Sequence, residues 1–153
     1  NTAHFWYDDL KKKVKIPILS MPEEVYNHAK INCKVNSQIG ILATEATLNT
    51  KIYHKYFNKR FKLLSPPIKI QKKNVNKAIK FVKMGNVRKA EKMIKPAIDY
   101  LIKVNCKKII LGCTELPIAI FAFKSFKKAK KSKTFIDPNL ILANTCVNKY
   151  KAA

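Results

Sequence analysis

Gly112-Cys113-Thr114-Glu115 follows the apolar run Lys108-Ile109-Ile110-Leu111 and precedes Leu116-Pro117-Ile118-Ala119. The pattern predicts a buried strand that turns into a helix, with a thiol at the turn. Backbone N–H groups at a helix start stabilise an anion, and a thiol there can have its pKa lowered to about 3.5–7.5. The chemistry this points to is proton transfer at Cys113. The remaining cysteines, Cys33, Cys106 and Cys146, carry no such surroundings and read as packing residues. No C-x-x-C spacing occurs, and the histidines at 4, 28 and 54 form no zinc pattern, so no metal site is expected. Isolated thiols without a disulfide framework suit a reducing, cytoplasmic compartment.

The elements that must position this thiol alternate short β-branched runs with longer periodic stretches, as in βα units around a parallel sheet. A first helix is expected over residues 3–14 and a short strand over 17–20. Ser20 caps the next helix, with Pro22 in its first turn and Glu23 and Glu24 at its positive end. Ile39-Gly40-Ile41-Leu42-Ala43 reads as a buried strand whose exit loop is Thr44-Glu45-Ala46-Thr47. A helix over 48–61, a weak strand over 62–64 and two helices meeting at Gly85-Asn86 come next. After the strand at 109–111, a last strand at 134–136 leads to a helix opened by Asp137-Pro138. Open α/β sheets bind ligands beyond the carboxyl ends of their strands. The loops there, at 44–47 and 112–115, are rich in hydroxyls and thiol and poor in bulk, which suits a small anion. Either threonine could instead simply cap the following helix.

A chain of 153 residues with 47% hydrophobic residues can bury a sizeable core. The formal charge is +23, from 32 Lys+Arg against 9 Asp+Glu. A field of that size attracts polyanions, yet only Arg60 and Arg88 offer the forks that read bases and phosphates. The lysines are scattered and read as the bias of an AT-rich genome, so no specific nucleic-acid partner is expected. The apolar stretch over 109–123 is shorter than a membrane span of about 20 residues and carries Glu115, so no membrane partner is expected either. The lysine run over 124–133 reads as a solvated loop or helix end.

Taken together, Asn1-Thr2-Ala3-His4, Ile18-Leu19-Ser20-Met21, Leu42-Ala43-Thr44, Gly112-Cys113-Thr114-Glu115 and Ile136-Asp137-Pro138 resemble the aspartate/glutamate racemase family, in order along the whole chain. The resemblance implies a cofactor-independent, two-cysteine racemase with two similar Rossmann-like or flavodoxin-like α/β domains facing a cleft. It implies Cys113 as one acid/base thiol. Asn1, Thr2 and Thr114 match positions that bind the α-carboxylate or line the turn beside it, and Thr44 and Thr47 match a threonine loop facing the same group. Lys83 matches a lysine that meets the side-chain carboxylate of an acidic amino acid. Glu115, where cell-wall glutamate racemases carry His, points to the aspartate or broader-specificity branch. The loop reads Glu45-Ala46-Thr47 where family members often place Gly before the last Thr. His4 reads as structural, and Phe5, Trp6 and Tyr7 as helix packing. The counterpart of Cys113 is expected immediately before Asn1, with a glycine-rich strand and a substrate-binding arginine further upstream. On that basis 1–20 and 129–153 form the remnant of a first domain and 21–128 the second domain. The chain by itself is expected to be inactive, the intact protein a homodimer. Maleate isomerase, hydantoin racemase and arylmalonate decarboxylase reuse similar cysteine loops, and a non-catalytic polyanion-binding module on this scaffold stands as the alternative from another class.

Overall fold

The computed structural model describes residues 1–122 and 134–151. A 3₁₀ segment, Thr2–Trp6, runs into α1 (Tyr7–Lys13), then α2 (Met21–Asn32), β1 (Gln38–Ala43), α3 (Glu45–Asn49) and α4 (His54–Phe57). Strand β2 (Lys62–Leu64) leads to α5 (Ile68–Ile70), a π-helical turn (Gln71–Val75), α6 (Asn76–Lys83) and α7 (Val87–Lys103). Strand β3 (Lys108–Gly112), α8 (Glu115–Phe121), β4 (Phe135–Ile136) and α9 (Pro138–Lys151) complete the order.

The four strands form one parallel sheet in the order β2-β1-β3-β4. The α/β class and the parallel sheet are as the sequence predicts. Both faces are covered, which is why β1 and β3 are near-continuous apolar runs rather than alternating ones. Side chains still alternate sides. Leu42, Ile109 and Leu111 pack with Ile94, Ile98 and Leu101 of α7 and Leu116 of α8. Ile39, Ile41 and Ile110 pack on the other side with Val25 and Ala29 of α2, Phe57 of α4 and Ile136. A Cβ on Gly40 would stand 2.8 Å from Leu101 Cδ1, so that leucine fills the slot the glycine leaves in β1.

The caps follow the residues. Ser20 Oγ accepts from the Glu23 N–H at 3.4 Å, and Asn86 Oδ1 accepts from the Lys89 N–H at 3.1 Å. Gly85 takes φ +73° between α6 and α7, a left-handed value that glycine adopts without a Cβ clash.

Three expectations need correction. Residues 17–20 carry no strand. Pro17 has no N–H to offer a ladder, and Ile18 O accepts from Tyr7 Oη at 3.1 Å instead. The helix expected over 48–61 is two short ones. It starts earlier because Thr44 caps it, and it breaks at Lys51, which takes φ +53°. Cys146 is exposed on α9 rather than packed, whereas Cys106 is buried and Cys33 partly so. The lysine run over 124–133 lies outside the described residues.

Leu101 is fully buried and seated over Gly40. Leu101→Ala therefore opens a cavity against the sheet and is expected to cost about 2–5 kcal/mol, read as a lowered midpoint in urea unfolding with an unchanged slope.

Candidate active site

The carboxyl ends of β1 and β3 lie side by side, with Ala43 opposite Gly112. A Cβ on Gly112 would come 3.1 Å from Ala43 Cβ and 3.3 Å from Leu42 O, so the close approach of these two ends needs glycine there. Beyond Ala43 the chain turns at Thr44 into α3; beyond Gly112 it turns at Cys113 and Thr114 into α8.

On the β1 side, Thr44 Oγ1 accepts from the Thr47 N–H at 3.2 Å and meets Thr47 Oγ1 at 3.0 Å. Thr2 Oγ1 lies 2.7 Å from Thr47 Oγ1 and 3.5 Å from Thr44 Oγ1, so three hydroxyls meet. Thr44 is thus a helix cap and a member of the cluster at once. Ala46 sits exposed in the first turn of α3 with ordinary right-handed backbone, so no glycine is required at that position.

Asn1, the neighbour of Thr2, is held by a residue that no local motif singles out. Tyr53, 1% exposed, donates its hydroxyl to Asn1 Oδ1 at 2.5 Å. Asn1 Nδ2 is buried with no hydrogen-bond partner among the described residues. His4 ties the same turn down: the Met21 N–H donates to its Nε2 at 3.0 Å, so its Nδ1 carries the proton that faces Asn1 O at 3.1 Å. Burial holds the imidazole below its usual pKa. A buried tyrosine must find a partner for its hydroxyl. That is the only sequence-level hint Tyr53 gives, because Asn1 lies 52 residues away.

On the β3 side, Cys113 is buried at 7% exposure and its S–H donates to Glu115 Oε2 at 2.9 Å. The same oxygen accepts from Thr114 Oγ1 at 3.0 Å, while Lys83 Nζ at the end of α6 lies 3.6 Å from Glu115 Oε1. The thiol is pushed up to about 12, first by burial and then by the carboxylate that accepts its proton. The helix-start amide of Glu115 does act on the sulfur in the expected, lowering direction, as does Lys83, but burial and carboxylate outweigh both. The lowered thiol pKa expected from the sequence is therefore wrong: Cys113 rests as a thiol. Burial works to raise the Glu115 carboxyl, yet hydrogen bonds from Cys113, its own amide and Thr114, with the Lys83 charge, bring it below the ordinary value. The proton therefore sits on sulfur and the charge on carboxylate.

The two sides form one neighbourhood. Thr44 and Cys113 directly follow the paired strand ends Ala43 and Gly112, and burial, with the charge of Asp137, raises the Tyr53 phenol. Thr2, Thr44 and Thr47 interlock, Asn1 is held beside Thr2 by Tyr53, and Lys83, Cys113 and Thr114 converge on Glu115. Thr114 is exposed and engages Glu115 rather than the threonine group.

Glu115→Gln removes both the charged acceptor and the like-charge repulsion, so the Cys113 pKa must fall. Iodoacetamide alkylation of the Cys113 peptide at pH 9, followed by mass spectrometry, is expected to quicken about tenfold for each pKa unit recovered. An unchanged rate would assign the shift to burial alone.

Comparison with known proteins bears on this arrangement. The family pattern described as Asp/Glu/Hydantoin racemase matches residues 1–146. A glutamate racemase of Streptococcus mutans serotype c is 28% identical over 122 residues, covering 76% of this chain and 42% of that protein. An uncharacterised protein encoded in the pnlA 3' region of Pectobacterium carotovorum subsp. carotovorum is 29% identical over 118 residues, 75% of each chain. Among solved structures, Picrophilus torridus aspartate racemase superposes with a TM-score of 0.70 at 27% identity, over 89% of this chain and 53% of its own. An aspartate racemase homologue from Pyrococcus horikoshii OT3 shares the fold at a TM-score of 0.74 and 19% identity, over 97% of this chain and 62% of its own. The chain thus matches between 42% and 75% of the length of these relatives. With all but the last seven residues matched by the family pattern, the chain belongs to the Asp/Glu/Hydantoin racemase family.

Proposed function

We propose that the protein acts as a cofactor-independent racemase of an acidic amino acid, aspartate before glutamate, with Cys113 as one of two acid/base thiols. The observation that carries this reading is that the turns bearing Cys113 and the Thr44–Thr47 hydroxyls leave paired strand ends, with Ala43 opposite Gly112 at the carboxyl edge of the sheet. Removing the α-proton of an amino acid leaves a planar carbanion. Inverting it requires one group that takes a proton from one face and another that gives a proton to the opposite face, in opposite protonation states. Cys113 rests protonated, so it is the donor of the resting pair. Having given its proton to the carbanion, Cys113 is left as the thiolate, and in the reverse direction it takes the α-proton back and becomes the thiol that donates to Glu115 again.

The substrate carboxylate takes the Asn1 Nδ2 donor and the hydroxyls of Thr2, Thr44 and Thr47, with Thr114 lining the turn. Donors held in place before the reaction stabilise the charge that spreads from the carbanion into that carboxylate. Lys83 is largely exposed at the rim and faces the side-chain carboxylate. The names of the aspartate and glutamate racemases among the relatives support an acidic substrate. In this reading the opposite thiol is the cysteine that the family resemblance implies just before Asn1.

The test pairs optical rotation with exchange of the aspartate α-proton in deuterium oxide. The 153-residue chain alone is expected to leave the rotation of L-aspartate unchanged. A longer protein that supplies the second thiol is expected to racemise it, and Cys113→Ser in that protein to lower kcat at least about a hundredfold. Racemisation by the 153 residues alone, or full activity in Cys113→Ser, would end the two-thiol account.

A further inference from the structure

The turn that carries Thr44 is gripped by a chain of side chains that no step above uses. Gln71, 2% exposed, donates from Nε2 both to Ala43 O and to Asn76 Oδ1, each at 2.9 Å. Asn76 Nδ2 donates in turn to Glu45 Oε1 at 2.7 Å. Ala43 and Glu45 are the two neighbours of Thr44. Because Ala43 O can only accept, the Gln71 amide must turn its nitrogen inward, and its Oε1 is left buried without a partner among the described residues. An orphaned buried acceptor is unfavourable. Packing alone would favour an apolar residue here, so the amide holds its place for the bonds it makes.

The backbone is shaped for the same purpose. In an α-helix, side chains five residues apart point about 140° away from each other. Residues 71–75 form a π-helical turn instead, closed by the Asn76 N–H donating to Gln71 O. The wider turn brings the Gln71 and Asn76 side chains together, and such turns recur at functional sites.

We propose that Gln71 and Asn76 are positioning residues that fix the Thr44 and Thr47 hydroxyls for the substrate carboxylate, acting through Ala43 and Glu45. This rests on the carboxylate-binding role given to those hydroxyls above. Asn76→Asp keeps the acceptor for Gln71 but loses the donor to Glu45 and sets two carboxylates against each other. Glu45→Gln alone keeps an acceptor for Asn76. Glu45→Gln with Asn76→Asp restores an amide–carboxylate bond with the roles exchanged.

The readout is hydrogen exchange at the Thr47 amide, which bonds to Thr44 Oγ1, measured in the 153-residue chain. Asn76→Asp is expected to speed it about tenfold while amides in the middle of β3 are unaffected. Glu45→Gln is expected to leave it as in the unaltered chain, and the double variant to restore it. Unchanged Thr47 exchange in Asn76→Asp, loosening throughout the sheet, or failure of the double variant to restore protection would overturn the proposal. The KM for aspartate of the racemising protein separates this from the functional reading. A rise in KM alongside faster Thr47 exchange supports both. Faster exchange with KM unmoved upholds the positioning of the hydroxyls and instead overturns their role toward the carboxylate.

Discussion

The site depends on how closely the carboxyl ends of β1 and β3 can approach. Gly112 allows it: its absent side chain lets Ala43 lie directly opposite, and any Cβ would press on Ala43 and on the Leu42 carbonyl. Parallel pairing then makes both strands end at the same edge of the sheet, so both following turns open on the same side. Thr44 and Cys113, 69 residues apart in the chain, become neighbours through that one register. The burial of both sheet faces makes the register firm. A slip by one residue would exchange Leu42 and Leu111 with Ile41 and Ile110 between two differently shaped cores.

Around this frame the electrostatics are arranged by burial more than by the helix that follows. α8 spans only Glu115–Phe121, and Cys113 stands before its cap. The amide at its start does favour the thiolate, but the sulfur is buried and its nearest strong acceptor is an anion. Glu115 is therefore the pivot. It takes hydrogen bonds from Cys113 and Thr114 and the charge of Lys83, and it remains ionised while the thiol remains protonated. That division of proton and charge is what the proposed donor role of the thiol needs. It also places Lys83 in two relations at once, toward Glu115 and toward the rim.

Much of the fold was legible because strong local rules agree. The apolar runs of β1 and β3, the Ser20 and Asn86 caps, the Gly85 turn and the Asp137-Pro138 start each depend on neighbours within a few residues. The errors fall where local signals compete. Residues 17–20 look like a strand but lack a ladder to join, and the periodicity over 48–61 continues across Lys51, where the backbone reverses hand. In the site, Cys113, Thr44 and Thr47 could be found from residue types in their turns. Tyr53, Gln71 and Asn76 could not, because their partners Asn1, Ala43 and Glu45 lie 28 to 52 residues away.

By itself the sequence determined the parallel α/β class, most of the element types and which turns carry hydroxyls and a thiol. These follow from periodicity, capping chemistry and the residue needs of tight turns, all short-range. Only the tertiary structure decided the protonation of Cys113, the partners of Asn1 and the bracing of Thr44. Each of these is set by burial or by a bond across the fold, and neither exists until distant segments have packed together.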